Sequence, residues 1–225
     1  MCRMAGFSSK NDFGISQILD FTKRMARYGL ESPHEDGWGI VALNRKEKII
    51  YKSIVPIYED PKIDLFGEGL YNLGVVHARL ASSGIPKTSL QLHPFHIDGR
   101  YFAHNGTVKT ARRLNIYDSD TYEYFEFISC FKSFYELADN IGKYAQNNKY
   151  SGLNFLMIDE IEMALYICCL YSDPNLSRYY TLHYYNDGEN FVVFSEPLNN
   201  DYVPMKNGEL LKVIDGKITE QIFLN

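Results

Sequence analysis

The chain has 225 residues, which is room for one domain or two small ones. Hydrophobic residues make up 45% and charged residues 23% of it, the balance of a globular protein rather than a disordered one. The formal net charge of -5 provides no excess of basic residues to neutralise phosphates, so we expect no nucleic-acid partner. No apolar run approaches the roughly 20 residues that span a bilayer. The first residues do not show the basic region followed by an apolar stretch that is typical of a secretory signal peptide. We therefore expect a cytoplasmic protein that does not contact a membrane.

Hydrophobic periodicity predicts helices in two regions. Ser16 to Tyr28 forms one amphipathic helix, and Asp120 to Ala145 forms one or two helices that begin at Ser119 or Asp120. Glu31 to Gly39 is turn-rich. Runs of β-branched and aromatic residues predict the following strands: Lys48 to Ile54, Leu73 to Arg79, Arg100 to His104, Leu153 to Ile158, Met163 to Leu170, Arg178 to Tyr184, Asn190 to Phe194 and Leu210 to Ile214. The pairs Asp187-Gly188 and Asp215-Gly216 predict short turns.

Strands outnumber helices along the chain, and the helices cluster instead of alternating with strands. This order favours an α+β fold with layered sheets and helices packed outside them over a doubly wound parallel sheet. No repeat, proline-rich linker or long charge run divides the sequence. We therefore predict a single domain over residues 1–225.

The four cysteines of the chain are expected to be free thiols. Cys168 and Cys169 are adjacent in a predicted strand, so their side chains point to opposite faces and belong to the core. Without a CxxC pair, Cys2 and Cys130 do not indicate a structural zinc site. The spacing of His93 and His96 is also a weak metal signal, because no helix or carboxylate motif accompanies it.

Cys2 has a position that permits unusual chemistry. If Met1 is removed, the thiol and a free α-amino group belong to the same residue. An ordinary cysteine has a pKa near 8.5 and needs a base at neutral pH, and an α-amine with a pKa of about 7.7–8.0 can accept its proton. Cys2 is therefore a candidate nucleophile that needs no histidine partner.

Short polar motifs follow Cys2 in a characteristic order. They are Cys2, His77-Ala78-Arg79, Ala81-Ser82-Ser83-Gly84, His93-Pro94, Phe102-Ala103-His104-Asn105-Gly106 and Ser119-Asp120-Thr121. By these motifs the chain resembles the class II glutamine amidotransferases, which are N-terminal-nucleophile hydrolases. Asp36-Gly37-Trp38-Gly39-Ile40 and Phe194-Ser195-Glu196-Pro197-Leu198 are similar to the stand-alone branch of that family. The resemblance implies a four-layer αββα sandwich of two mainly antiparallel sheets flanked by helices.

The resemblance also implies a role for each matched residue. Cys2 is the nucleophile, and Asn105 with Gly106 forms the oxyanion hole. Arg79 binds the substrate α-carboxylate, Ser82 supplies a hydroxyl to the substrate, and Asp120 binds the α-ammonium group. His77 and His104 are expected to point to the opposite face of their strands and to be structural.

The implied reaction attacks the γ-amide of glutamine or of a γ-glutamyl compound through a thioester, with no cofactor and no metal. Four positions depart from the family pattern and leave the substrate open: Leu80, Ser82, Ser83 and Tyr122. One alternative is a hydrolase of a γ-glutamyl amide other than glutamine, and another is a non-catalytic module that binds glutamine or a related metabolite. A third interpretation, a cysteine protease with a Cys-His pair, is the one that the sequence supports least. Because the domain occupies the whole chain, a partner subunit is the expected acceptor of any transferred ammonia.

Overall fold

Two antiparallel sheets lie face to face in the computed structural model of this chain, which describes residues 2–30, 32–81 and 87–224. The strands in chain order are β1 (Arg3–Gly14), β2 (Trp38–Leu43), β3 (Lys48–Ser53), β4 (Leu70–Ala78), β5 (Phe95–Ile97), β6 (Arg100–Asn105), β7 (Asn154–Asp159), β8 (Ala164–Cys169), β9 (His183–Asn186), β10 (Asn190–Phe194), β11 (Val203–Pro204), β12 (Glu209–Ile214) and β13 (Lys217–Phe223). The helices are α1 (Ser16–Tyr28), α2 (Asp120–Ser129), α3 (Phe134–Asn147) and the single turn α4 (Ser177–Tyr180). Among the described residues, the helices are too short or too polar to cross a bilayer.

The first sheet has seven strands in the order β11-β9-β10-β1-β4-β2-β3, and the second has six in the order β13-β12-β8-β7-β6-β5. Their inner faces share one apolar core, with Met4 and Val75 from the first sheet against Leu156 and Ile167 from the second. Helix α1 packs on the outer face of the first sheet, and α2 and α3 pack on the outer face of the second. The four layers confirm the expected αββα sandwich.

Most central strands are buried on both faces, so their sequences are continuous apolar runs rather than alternations. All six residues of β7 and all six of β8 are buried. Along β8 the side chains alternate between the two cores, and Cys168 and Cys169 lie in different ones as predicted.

Strand β1 occupies the middle of the first sheet and places the start of the chain at the site described below. It pairs with β10 on one side and with β4 on the other. Arg3 is opposite Ala78 in this register, so Cys2 lies beside Arg79, the residue that follows β4.

Several predicted elements need correction. Helix α1 has the predicted bounds, and the Asp120 to Ala145 region forms two helices, the first capped by Ser119. The predicted strand over Arg178 to Tyr184 is wrong, because its first part is the helical turn α4 and the strand β9 begins at His183. Strands β1 and β13 have no counterpart among the predicted elements, and β2 begins inside the stretch interpreted as turns.

Candidate active site

A small cavity lies at the end of the sandwich where β1 begins. Its lining comes from the residue before β1, the segments that follow β4 and precede β5, the end of β6 and the start of α2. The described residues that line it are Cys2, Arg79, Leu80, Ala81, Gln91, His93, His104, Gly106, Ser119, Asp120 and Thr121.

Arg79 is buried beside Cys2 and is held there through its backbone. Its N–H donates to the carbonyl of Gly37 at 2.8 Å, and its carbonyl accepts from the N–H of Asp36 at 3.2 Å. Gly37 has a φ of +94°, and a Cβ there would collide with the carbonyl oxygen of Ser53. The turn before β2 therefore requires glycine at the point where it fixes Arg79.

Asp36 also contacts Ala81 and Lys87, two described residues that follow Arg79. One carboxylate oxygen accepts from the N–H of Ala81 at 2.7 Å, and the other pairs with Lys87 at 2.6 Å. Burial raises the pKa of Asp36, but the bonds from Lys87 and Ala81 outweigh it, so the pKa lies below its ordinary value. Asp36 therefore carries its negative charge at neutral pH and binds both Ala81 and Lys87.

Cys2 is partly buried, and its main-chain nitrogen donates to Oδ1 of Asn105 at 2.9 Å. The thiol faces the carbonyl of Leu80, with Sγ 3.8 Å from that oxygen. Burial raises the pKa of the Cys2 thiol, although the Arg79 guanidinium acts in the opposite direction. The resting sulfur is thus a thiol and needs a base before it can act as a nucleophile.

Asn105 and Gly106 form the turn at the end of β6. Asn105 is fully buried, and its Nδ2 has no hydrogen-bond partner among the described residues. Gly106 lies so close to Gly152 that a Cβ would collide with the Gly152 carbonyl oxygen. An unsatisfied buried donor is costly, so Nδ2 is a group that a ligand oxygen would satisfy.

Asp120 is the first residue of α2, is buried and lines the cavity. Its Oδ2 accepts from the N–H of Val108 at 2.8 Å, and its Oδ1 accepts from the N–H of Thr121 at 3.0 Å. Among the described lysines, arginines and histidines, none forms an ion pair with this carboxylate. The cavity is therefore lined by a buried carboxyl group, that of Asp120, and by Arg79.

Three buried histidines lie behind this arrangement. His93 Nδ1 is 2.8 Å from His77 Nε2, and His104 bonds to Thr121 Oγ1 at 2.8 Å and to the Gly152 carbonyl at 3.0 Å. Burial lowers the pKa of all three imidazoles, so they are neutral at pH 7. His104 and His93 are both among the residues that line the cavity. The His104 ring packs with Phe102 and Tyr124, on the side of β6 that faces α2, as expected for a structural residue.

The sequence prediction missed Gln91, which lines the cavity. Its Oε1 accepts from Thr88 Oγ1 at 2.6 Å, and its Nε2 donates to the carbonyl of Tyr117. Gln91 thereby joins two chain segments of the cavity wall, a role without a local sequence signal. Tyr122 packs against Phe95 and Tyr117, away from the cavity.

Of the six predicted site residues, the structure brings Cys2, Arg79, Asn105, Gly106 and Asp120 together, and Ser82 lies outside the described residues. Removal of Met1 likewise concerns a residue outside them. Within the described part of the chain, no three His, Cys, Asp or Glu side chains are grouped as metal ligands would be.

Comparison with solved structures finds the same architecture in amidotransferases. Glutamine phosphoribosylpyrophosphate amidotransferase from B. subtilis superposes with a TM-score of 0.72 at 20% identity, over 100% of this chain and 49% of that one. The chain has the fold of class II glutamine amidotransferase domains. It spans about half the length of the B. subtilis enzyme.

Two further structures with this amidotransferase fold match over almost their whole length. A glutamine aminotransferase class-II domain protein from Silicibacter pomeroyi has a TM-score of 0.66 at 17% identity, with 99% of both chains covered. A predicted glutamine amidotransferase from Pseudomonas aeruginosa has a TM-score of 0.60 at 19% identity, with 97% of this chain and 100% of that one covered. At the level of sequence, no family model and no curated protein matches the chain.

Proposed function

We propose that this chain is a glutamine amidotransferase-type enzyme that cleaves the γ-amide of glutamine or of a γ-glutamyl compound through a thioester on Cys2. The observation that carries the proposal is the meeting of Cys2, the Asn105–Gly106 turn and two opposite buried charges at one cavity. A nucleophile, donors for an oxyanion and binding groups for a zwitterion are the parts that such a reaction requires.

The base in this proposal is the α-amine that removal of Met1 would create on Cys2. Asn105 Oδ1 accepts from this nitrogen at 2.9 Å, and that bond orients it. An α-amine is partly neutral near pH 8, so it can take the thiol proton as Sγ attacks the γ-carbonyl carbon. The C–N bond then breaks, the proton leaves with ammonia, and a γ-glutamyl thioester remains. Water hydrolyses the thioester, which releases glutamate and restores the thiol.

The oxyanion of the tetrahedral intermediate would be stabilised by Asn105 Nδ2 and the N–H of Gly106. Asn105 divides its amide between two tasks, because Oδ1 faces the Cys2 nitrogen while Nδ2 has no partner among the described residues. Donors fixed before the reaction stabilise charge without reorganising when it develops.

The substrate would be bound through both of its charged groups, the α-carboxylate and the α-ammonium group. Arg79 can form two parallel bonds with an α-carboxylate, and Asp120 can accept from an α-ammonium group. Since both side chains are buried, a ligand that lacks either charge would forgo a charge-assisted contact in a desolvated site. This selects a free amino-acid end over a glutamine inside a peptide. The released ammonia would go to water or to a partner subunit.

The proposal is tested with 6-diazo-5-oxo-L-norleucine, an electrophilic mimic of glutamine, and with intact-mass measurement of the protein. We expect a protein without Met1, one adduct located on Cys2, and protection by L-glutamine. Cys130→Ser is the control, because Cys130 is exposed and outside the cavity, and its adduct should form at the wild-type rate.

Release of glutamate from L-glutamine and from larger γ-glutamyl amides then defines the substrate. Turnover of a larger amide alone would identify a hydrolase of another γ-glutamyl compound. Retention of Met1 together with binding but no turnover would identify a binding module and contradict the proposal.

A further inference from the structure

Tyr180 packs directly behind the turn that carries the oxyanion donors. It is the last residue of α4 and is fully buried. Its ring lies against Gly152, where an added Cβ would be 2.6 Å from Cε1 of the ring. The carbonyl of Gly152 in turn lies against Gly106. The Tyr180 ring, Gly152 and Gly106 thus form a contiguous stack in which the position of each depends on the next.

A hydrogen-bond chain connects the same elements. The Tyr180 hydroxyl donates to Ser151 Oγ at 2.9 Å, and Ser151 Oγ accepts from the N–H of Thr107 at 3.1 Å. The N–H of Ser151 donates to the carbonyl of Thr107 at 2.9 Å. Thr107 follows Gly106 in the chain, so Ser151 holds the peptide on the carboxyl side of the glycine.

The backbone of Tyr180 is tied to the other half of the turn. Its carbonyl accepts from Asn154 Nδ2 at 2.5 Å, and Asn154 is opposite Asn105 in the pairing of β6 with β7. One residue of α4 therefore contacts partners of both oxyanion donors. The Tyr180 side chain acts on the Gly106 side, and its carbonyl acts on the Asn105 side.

We propose that Tyr180, acting through Ser151, is a positioning residue that holds the Gly106 N–H in line with the oxyanion of the substrate. The inference rests on the proposed function, because that function supplies the γ-carbonyl whose oxygen the turn would bind. Glycine is free to rotate its peptide planes, so a turn that needs glycine for close approach also needs an external restraint. The hydroxyl chain supplies this restraint.

The test compares Tyr180→Phe and Ser151→Ala with the wild type and with Tyr166→Phe. Tyr166 is a suitable control because it is also buried and its hydroxyl donates to Glu162 at 2.8 Å, on the far hairpin of β8. We expect kcat for γ-amide hydrolysis to fall about tenfold in both test variants, with KM changed less than about twofold. This is less than the hundredfold or more expected when an oxyanion donor is removed.

Alkylation of Cys2 by iodoacetamide separates this effect from general damage to the site. Displacement at a saturated carbon develops no oxyanion, so we expect the alkylation rate of Tyr180→Phe and Ser151→Ala to equal that of the wild type. An equal loss of hydrolysis and alkylation would overturn the proposal, because the two side chains would then support the whole cavity.

Hydrogen exchange at the Thr107 amide provides a readout that needs no turnover. We expect it to be faster in Tyr180→Phe and in Ser151→Ala, and unchanged in Tyr166→Phe. If the wild-type protein hydrolyses no γ-glutamyl amide, the proposed function fails, while faster exchange would still support the restraint. If both Tyr180→Phe and Ser151→Ala leave the exchange rate and kcat unchanged, the proposed positioning role of Tyr180 is overturned.

Discussion

The main-chain nitrogen of Cys2 lies 2.9 Å from Oδ1 of Asn105, although 103 positions separate the two residues in the chain. The contact exists because β1 belongs to one sheet and β6 to the other, and the start of β1 and the end of β6 meet at the same end of the sandwich. A single amide thereby orients the proposed base and keeps a donor for the oxyanion.

Substitution of Asn105 by Asp separates the two tasks of its amide. The carboxylate retains an acceptor for the Cys2 nitrogen but replaces the Nδ2 donor with a negative charge. We expect kcat for γ-amide hydrolysis to fall by at least about a hundredfold, while Tm changes little. Steady-state kinetics and thermal unfolding check this, and a kcat within about threefold of the wild type would argue against Asn105 as an oxyanion donor.

Substitution by alanine should have opposite effects on stability at two glycines, Gly106 and Gly142. Gly106→Ala places a Cβ against the Gly152 carbonyl, so we expect a lower Tm and at least about a hundredfold loss of kcat from the displaced turn. Gly142 lies inside α3, and outside the helix backbone no atom lies within 4 Å of an added Cβ there. Gly142→Ala should therefore stabilise the protein by about 0.5–1 kcal/mol. Denaturant unfolding of both variants measures the difference.

The two charges of the cavity should be separable with truncated substrates. Arg79→Ala should raise KM for glutamine by about 10- to 100-fold, because it removes a charge-assisted contact, but leave KM for 4-aminobutanamide, which has no carboxylate, nearly unchanged. Asp120→Asn should raise KM for glutamine similarly but not for glutaramate, which has no amine. Equal effects on complete and truncated substrates would contradict the assignment of these charges.

Stability should fall in mildly acidic solution because of the buried histidines. Burial lowers the pKa of His77, His93 and His104 in the folded protein. An unfolded histidine has a pKa of about 6.5, so just below that pH the unfolded chain binds more protons than the folded protein does. The contribution of these three imidazoles to the free energy of unfolding therefore decreases as pH falls below about 6.5 and is constant above it. Thermal unfolding between about pH 8 and pH 5 measures this trend, and His93→Gln should reduce its slope. A flat profile in the wild type would show that the imidazoles are not kept neutral.

The local sequence pattern was enough to predict elements with a clear hydrophobic periodicity or a run of residues that favour strands. The apolar stripe of α1 and the aromatic run of β10 have the bounds that the sequence indicates. By contrast, β1 contains no β-branched residue and is a strand because β4 and β10 pair with it on both sides. Arg178 to Tyr180 has strand propensity but forms a helical turn after a turn capped by Asp173.

The candidate site likewise contains residues that the sequence predicts and residues that only the tertiary structure reveals. Cys2, Arg79, Asn105, Gly106 and Asp120 belong to motifs that are visible in the sequence, and the fold brings them to one cavity. The contributions of Gln91, Ser151 and Tyr180 arise from hydrogen bonds between distant segments and leave no local pattern. Such residues become visible only when the tertiary structure is known.

The most direct measurement is a crystal structure of the protein after reaction with 6-diazo-5-oxo-L-norleucine. We predict a covalent bond to Cys2 Sγ, a free Cys2 nitrogen, the α-carboxylate on Arg79, the α-ammonium on Asp120, and the carbonyl oxygen between Asn105 Nδ2 and the Gly106 N–H. An adduct on another cysteine, or an amino-acid end turned away from Arg79 and Asp120, would contradict the proposed function.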